Sequence, residues 1–153
     1  MTTRPTVAAD LPAITAMLQT IELFPPELLG DMAAPYLSGE GEDIWFSTTN
    51  DAGEVIGFGY CVPEQLTNGT YNLLAIGVRA DLQGRGTGKA MIAYLEDFLR
   101  AAGHRLLLID TSSGEGFAAT RRFYDGLGYE REAVIRDYWD AGDDKVTYRK
   151  KLQ

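Results

Sequence analysis

"ADLQGRGTGKAMIAYLEDFL", Ala80 to Leu99, places Gly84, Gly86 and Gly88 within five residues and runs straight into a strongly helical stretch. Glycine gives up more backbone entropy on folding than any other residue, so alternate glycines are costly in a structured chain. Either the stretch is a hinge, or the backbone there does something that side chains would obstruct. Upstream, "TYNLLAIGVR" is rich in β-branched and aromatic residues and reads as a strand. Downstream, Met91, Leu95, Phe98 and Ala102 mark one helical face, which Gly103 terminates. A strand, a glycine turn and a helix N-terminus together make an anion site. The first helical N–H groups lack internal partners and carry the positive end of the dipole. Arg85 and Lys89 add charge there, or are simply solvated.

The spacing narrows the phosphate ligand. A nucleotide-triphosphate loop needs four residues between its glycines and then Lys-Ser/Thr. Gly84 and Gly88 enclose three, and Ala90 follows Lys89, so the hydroxyl that would hold Mg²⁺ is missing. The dinucleotide fingerprint G-x-G-x-x-G fails as well, because Lys89 stands where its third glycine belongs.

Working outward, "RPTVAADLPAITAMLQTIEL" reads as a short strand and a helix with Asp10 as N-cap and Pro12 in its first turn. Leu11, Ile14, Leu18 and Ile21 recur at helical spacing. "PPELLGDMAAPYL" reads as a shorter helix broken near Pro35. "DIWFSTT", "EVIGFGYCVPE" and "TYNLLAIGVR" then read as three successive antiparallel strands joined by turns. "RLLLID" is apolar on both faces, as an interior strand is. "AATRRFYDGLGY" is a helix stopped by Gly126 or Gly128, and "EREAVIRDYW" and "KVTYRKKL" form a hairpin across a polar "DAGDD" loop. The order β-α-α-β-β-β-α-β-α-β-β predicts a single α/β (α+β) domain over 1–153, a mixed sheet with helices on its faces.

Totals exclude several classes. The 153 residues are 45% hydrophobic and 24% charged, ordinary for a globular domain. No apolar run approaches the roughly 18 residues of a membrane span. "MTTRPTVAADLPAI" lacks the apolar core of an export signal, and the lone Cys61 fits a reducing compartment, so a cytoplasmic location is expected. One Cys and one His leave no basis for a zinc site of the His/Cys type, and no metal is expected. A net charge of −8 argues against a nucleic-acid partner and is compatible with a cationic one.

At Gln83, Gly84, Arg85, Gly86, Thr87 and Gly88 the sequence spells Q-x-x-G-x-G, after a strand of the "LAIGV" type and at the start of a long helix. Here it resembles the GNAT superfamily of acyl-CoA-dependent N-acetyltransferases. The late "TRRFYDGLGY" is similar to that family's segment ending in "FYExLGF", and the resemblance covers nearly the whole chain. It implies a mostly antiparallel sheet with helices on both faces, and acetyl-CoA as cosubstrate. The amides of Gly84 through Lys89 would hold the pyrophosphate of coenzyme A. The backbone of Ile76, Gly77 and Val78 would pair with its pantetheine arm, and the Val78 amide would face the developing oxyanion. The resemblance also gives Tyr124 the role of protonating the departing thiolate, because a tyrosine of ordinary acidity holds its proton at neutral pH.

The family's Asn near the pantetheine is replaced here by "TSSGEGFAAT", where Ser112, Ser113 or Thr120 supplies a hydroxyl at best. Acetylating an amine requires removal of a proton from the ammonium first. Asp110 sits where several relatives carry a carboxylate, and Glu64 is the alternative base. An aspartate of ordinary acidity is a weak base, so a water chain or a raised pKa would be needed. His104 lies at the opposite end of the strand, and Cys61 reads as a small buried filler. "FPPELLGDM", "WFSTTN" and "YWDAGDD" are expected to shape the acceptor pocket, while Asp140, Asp143 and Asp144 read as a solvated turn. The expected reaction is direct transfer to an amine, preferably of a small molecule. A protein or peptide amine and a non-catalytic acyl-CoA-binding module are the alternatives, and a homodimer is left open.

Overall fold

The computed structural model describes residues Met1–Gln153. Seven strands and four α-helices follow in the order read from the sequence. They are β1 (Thr2–Pro5), α1 (Leu11–Leu18), α2 (Leu29–Leu37), β2 (Ile44–Thr49), β3 (Val55–Pro63), β4 (Thr70–Val78), α3 (Thr87–Ala101), β5 (Leu106–Ser112), α4 (Ala118–Gly126), β6 (Glu130–Asp140) and β7 (Asp143–Lys151). The sheet order is β1-β2-β3-β4-β5-β7-β6. Pairing is antiparallel for β1/β2, β2/β3, β5/β7 and β6/β7, and parallel for β4/β5. No helix is long and apolar enough to cross a membrane.

The chain forms two compact units. One comprises Met1–Val62 and Leu74–Asp97. Its core gathers Ile14, Met17 and Leu18 of α1, Leu29 and Ala33 of α2, Trp45, Phe58 and Ala75. Neighbouring strand residues point to opposite faces. A Cβ on Gly57 would meet Met91 of α3, whereas Phe58 packs in the α1–α2 core. Helices therefore cover both faces of this part of the sheet. The other unit comprises Pro63–Leu73 and Phe98–Gln153. There β5 runs between β4 and β7, in register from Thr70↔Leu106 to Leu73↔Ile109 on one side and from Leu106↔Lys151 to Ser112↔Lys145 on the other.

Four local expectations change. Pro35 lies inside α2, which continues to Leu37; a proline this late costs a single intrahelical bond. Helix α1 ends at Leu18, short of Ile21. The buried stripe of α3 is Met91, Ile92, Leu95 and Leu99, while Phe98 stays 42% exposed and Ala102 is exposed too. At 3.6 residues per turn, a stripe centred on Leu95 and Leu99 draws Ile92 inward and turns Phe98 to its rim. The final hairpin is tighter than a "DAGDD" loop: Asp140 pairs with Asp143 across Ala141 and Gly142. Gly103 and Gly128 do end their helices, both in the left-handed region at φ +84° and +85°.

Candidate functional site

The glycine turn follows β4 through a short 3₁₀ segment, Ala80–Leu82. Gln83 Nε2 donates to the Val78 carbonyl at 3.1 Å and pins the strand end to the turn. Gly84 and Gly86 hold φ of +78° and +83°, a conformation that costs an L-residue roughly 1–2 kcal/mol. A Cβ on either would meet nothing within 4 Å, so both backbones face open space. The Ala90 amide donates to the Gly86 carbonyl at 3.1 Å, which makes Gly86 the cap of α3. The amides of Thr87, Gly88 and Lys89 are then first-turn donors without helical acceptors. The side chains of Arg85 and Lys89 are exposed beside them. Uncrowded backbone donors at the start of a 15-residue helix fit a phosphate group.

A second cluster forms around Asp110. Thr147 lies directly across the β5/β7 ladder from it and donates its hydroxyl to Asp110 Oδ1 at 2.7 Å. Asn72 is paired with Leu108, two residues before Asp110 and on the same strand face. From there its Nδ2 donates to Asp110 Oδ2 and to Glu64 Oε1, each at 2.9 Å. The sheet thus brings the two carboxylates named from the sequence onto one amide. Lys145 Nζ stands 4.0 Å from Asp110 Oδ2 and lies over the Tyr138 ring, 4.1 Å from its centroid.

Tyr138 and Trp139 arrive through an irregularity in β6. Pairing jumps from Ile135↔Lys145 to Asp140↔Asp143, so Arg136–Trp139 bulge outward, with Asp137 in the left-handed region at φ 56°. The Asp137 amide donates to Asp144, and the Trp139 indole donates to the Thr111 carbonyl. The other non-glycine residue with positive φ is Leu66, two residues after Glu64. Both strained positions adjoin segments that feed this cluster, where such cost is typically found.

Tyr124 is 3% exposed and lies among the rings of Phe123, Tyr129 and Tyr148. Burial, with a smaller contribution from Tyr148, pushes its phenol well above the ordinary tyrosine value. The phenol therefore keeps its proton throughout the physiological range. Cys61 is fully buried, and burial pushes its thiol up as well, as an inert filler requires. His104 packs against Tyr71, 4.4 Å between rings. Ser112 and Ser113 spend their hydroxyls on Asp143, Gly114 and Asp144, so these polar residues hold the loop rather than lie free. Most of "WFSTTN" is buried, Trp45 through Thr48. Ile76 and Val78 are half-buried, and Gly77 is closed over by Leu23 and Phe58, at 3.1 and 3.2 Å from where its Cβ would stand. Sequence reading missed Asn72, Thr147 and Lys145. An Asn inside an otherwise apolar strand was the available signal, since a buried amide demands partners.

With this geometry established, comparison with known proteins places the chain. Residues 14–129 match the model of the acetyltransferase (GNAT) family. A putative GNAT-family acetyltransferase of Desulfovibrio desulfuricans is 31% identical, with 99% of each chain covered and a TM-score of 0.86. The chain therefore belongs to the GNAT acetyltransferases. A curated relative, the 5-NmdU N-acetyltransferase of Pseudomonas phage PaMx11, is 33% identical over 85 residues, 56% of this chain and 56% of that protein. The chain thus spans little more than half the length of this relative. yncA of Salmonella typhimurium, a putative acetyltransferase solved with its cofactor acetyl-CoA, has the same fold at 19% identity, a TM-score of 0.78, and coverage of 99% of this chain and 94% of that one.

Proposed function

We propose that this protein transfers the acetyl group of acetyl-CoA directly to a primary amine, by preference that of a small molecule, in the cytoplasm. The observation that supports the reading is the turn at Gly84 and Gly86, whose open, left-handed backbone leaves the first-turn amides of α3 uncrowded, as a phosphate ligand requires. In this reading the amides from Gly84 to Lys89 and the side chain of Arg85 receive the pyrophosphate, and the backbone of Ile76–Val78 receives the pantetheine arm. As substrate, acetyl-CoA supplies an activated thioester.

Asp110 accepts the proton that must leave the ammonium before its nitrogen can attack. The Val78 amide turns its dipole toward the charge that develops on the carbonyl oxygen. Tyr124 donates its phenolic proton to the sulfur as the C–S bond breaks. Burial keeps this donor protonated at every working pH and at the same time makes it a weaker acid toward the sulfur, so its contribution is modest.

The test is release of free thiol from acetyl-CoA in the presence of a panel of small amines and peptide N-termini. Turnover with a small primary amine is the expected result. Tight acetyl-CoA binding with no turnover on any amine would leave a binding module in place of an enzyme.

A further inference from the structure

We propose that Asn72 is a positioning residue that fixes Glu64 and Asp110 as a paired seat for the primary ammonium group of the acceptor. The inference rests on the reading of Asp110 as the group that meets the acceptor nitrogen. It names the acceptor's charge and the residue that prepares the site for it.

Asn72 is 5% exposed, whereas Glu64 and Asp110 are part-exposed above it. A single buried NH₂ group spends both hydrogens on two carboxylates, at 2.9 Å each. The two hydrogens of an amide nitrogen diverge by about 120°, which holds the accepting oxygens roughly 5 Å apart. A tetrahedral ammonium that donates two hydrogen bonds of ordinary length needs acceptors at about that spacing.

The cluster is also short of donors. Asn72 Oδ1 is buried and has no hydrogen-bond partner. Beyond the amide, only the Thr147 hydroxyl donates to Asp110, and Lys145 stands at 4.0 Å. A buried acceptor without a donor is costly, and few such groups persist in native proteins without a reason. Lys145 stands by Asp110 alone, so the negative charge of Glu64 is left for a ligand to balance. A primary ammonium brings three N–H donors and that one positive charge. Tyr138, whose ring already accepts the Lys145 ammonium, adds exposed aromatic surface beside that lysine, with Trp139 packed edge-on against it.

The probe is benzylamine, a cation at neutral pH, with benzyl alcohol as its uncharged counterpart, both titrated calorimetrically into the acetyl-CoA-free protein. Benzylamine should bind saturably and benzyl alcohol at least about tenfold more weakly. Asn72→Leu should weaken benzylamine about tenfold or more while acetyl-CoA affinity stays within about twofold, so that loss of the fold is separated from loss of the seat. Should Asn72→Leu fail to bind acetyl-CoA, Asn72→Ser, which offers one donor in place of two, should still lower benzylamine affinity severalfold. The effects of Asn72→Leu and Glu64→Gln should be less than multiplicative, since each breaks the same pair.

Absence of benzylamine binding, equal binding of the alcohol, or unchanged affinity in the Asn72 variants would overturn the inference. The underlying reading fails differently: Asp110→Asn would then turn over normally whatever benzylamine does.

Discussion

In the proposed reading, the turn at Gly84–Lys89 and the cluster around Asp110 would recognise their ligands by opposite means. The turn works with backbone: its donors are amides, and its glycines matter for the side chains they lack. The cluster works with side chains alone, and Glu64, Asn72, Asp110, Lys145 and Thr147 come from a loop and three different strands. Backbone recognition constrains a short local string, because consecutive residues must adopt set dihedrals. Side-chain recognition constrains only where strands pair. One region could therefore be changed by substitution while the other is left intact.

If the cluster is where the acceptor loses its proton, the largest loss should come from Asp110→Asn. The substitution keeps the shape and removes the proton acceptor, so kcat/KM for amines should fall about 10²–10³-fold, within the usual range for general acid–base groups. Acetyl-CoA affinity, measured by titration, should be unchanged. A parallel loss of acetyl-CoA binding would break the division between the two regions.

The reciprocal experiment is Gly86→Asp. Aspartate tolerates the left-handed region better than most residues, so if the turn holds phosphate the chief effect is a carboxylate among its amides. Acetyl-CoA affinity should drop about a hundredfold, and Gly86→Asn, of the same size without the charge, should lose much less. Normal acetyl-CoA affinity in a folded Gly86→Asp protein would reduce the turn to a connection. Benzylamine binding at the cluster should survive in both variants.

The same contrast explains what could be read in advance. The element order was legible because each element carries its own period, and the glycine turn because its motif is contiguous. Asp110 and Glu64 were legible as individual carboxylates. Their union was not, because it depends on the pairing Asn72↔Leu108 and on Thr147 lying opposite Asp110. Those are facts of sheet register, which no local pattern encodes. The bulge at Arg136–Trp139 was invisible for a similar reason: "EREAVIRDYW" reads as one unbroken strand, and three surplus residues appear only when β6 is laid against β7. Pro35 misled in the other direction, since local propensity against helix yielded to the packing of α2 in the core.

Tyr124→Phe should have the smallest effect of the three, and its sign with pH is informative. A thiol of ordinary acidity, near pH 8.5, already leaves tolerably as a thiolate, so an acid that assists it is worth less than a base the reaction cannot start without. A fall in kcat of about tenfold is expected, with acetyl-CoA and benzylamine affinities intact. Burial raises the Tyr124 pKa, favouring the protonated phenol in the folded protein. The wild-type rate should therefore show no alkaline limb from this group between pH 7 and 10, and the ratio of wild-type to Tyr124→Phe rates should stay constant across that range. Above about pH 10 an unfolded tyrosine would ionise while the buried one does not, so this side chain removes stability as pH rises further, and the phenylalanine variant should lose less. A ratio that falls toward one below pH 10 would mean that the phenol ionises like a solvated one, and equal rates at every pH would remove Tyr124 from the chemistry.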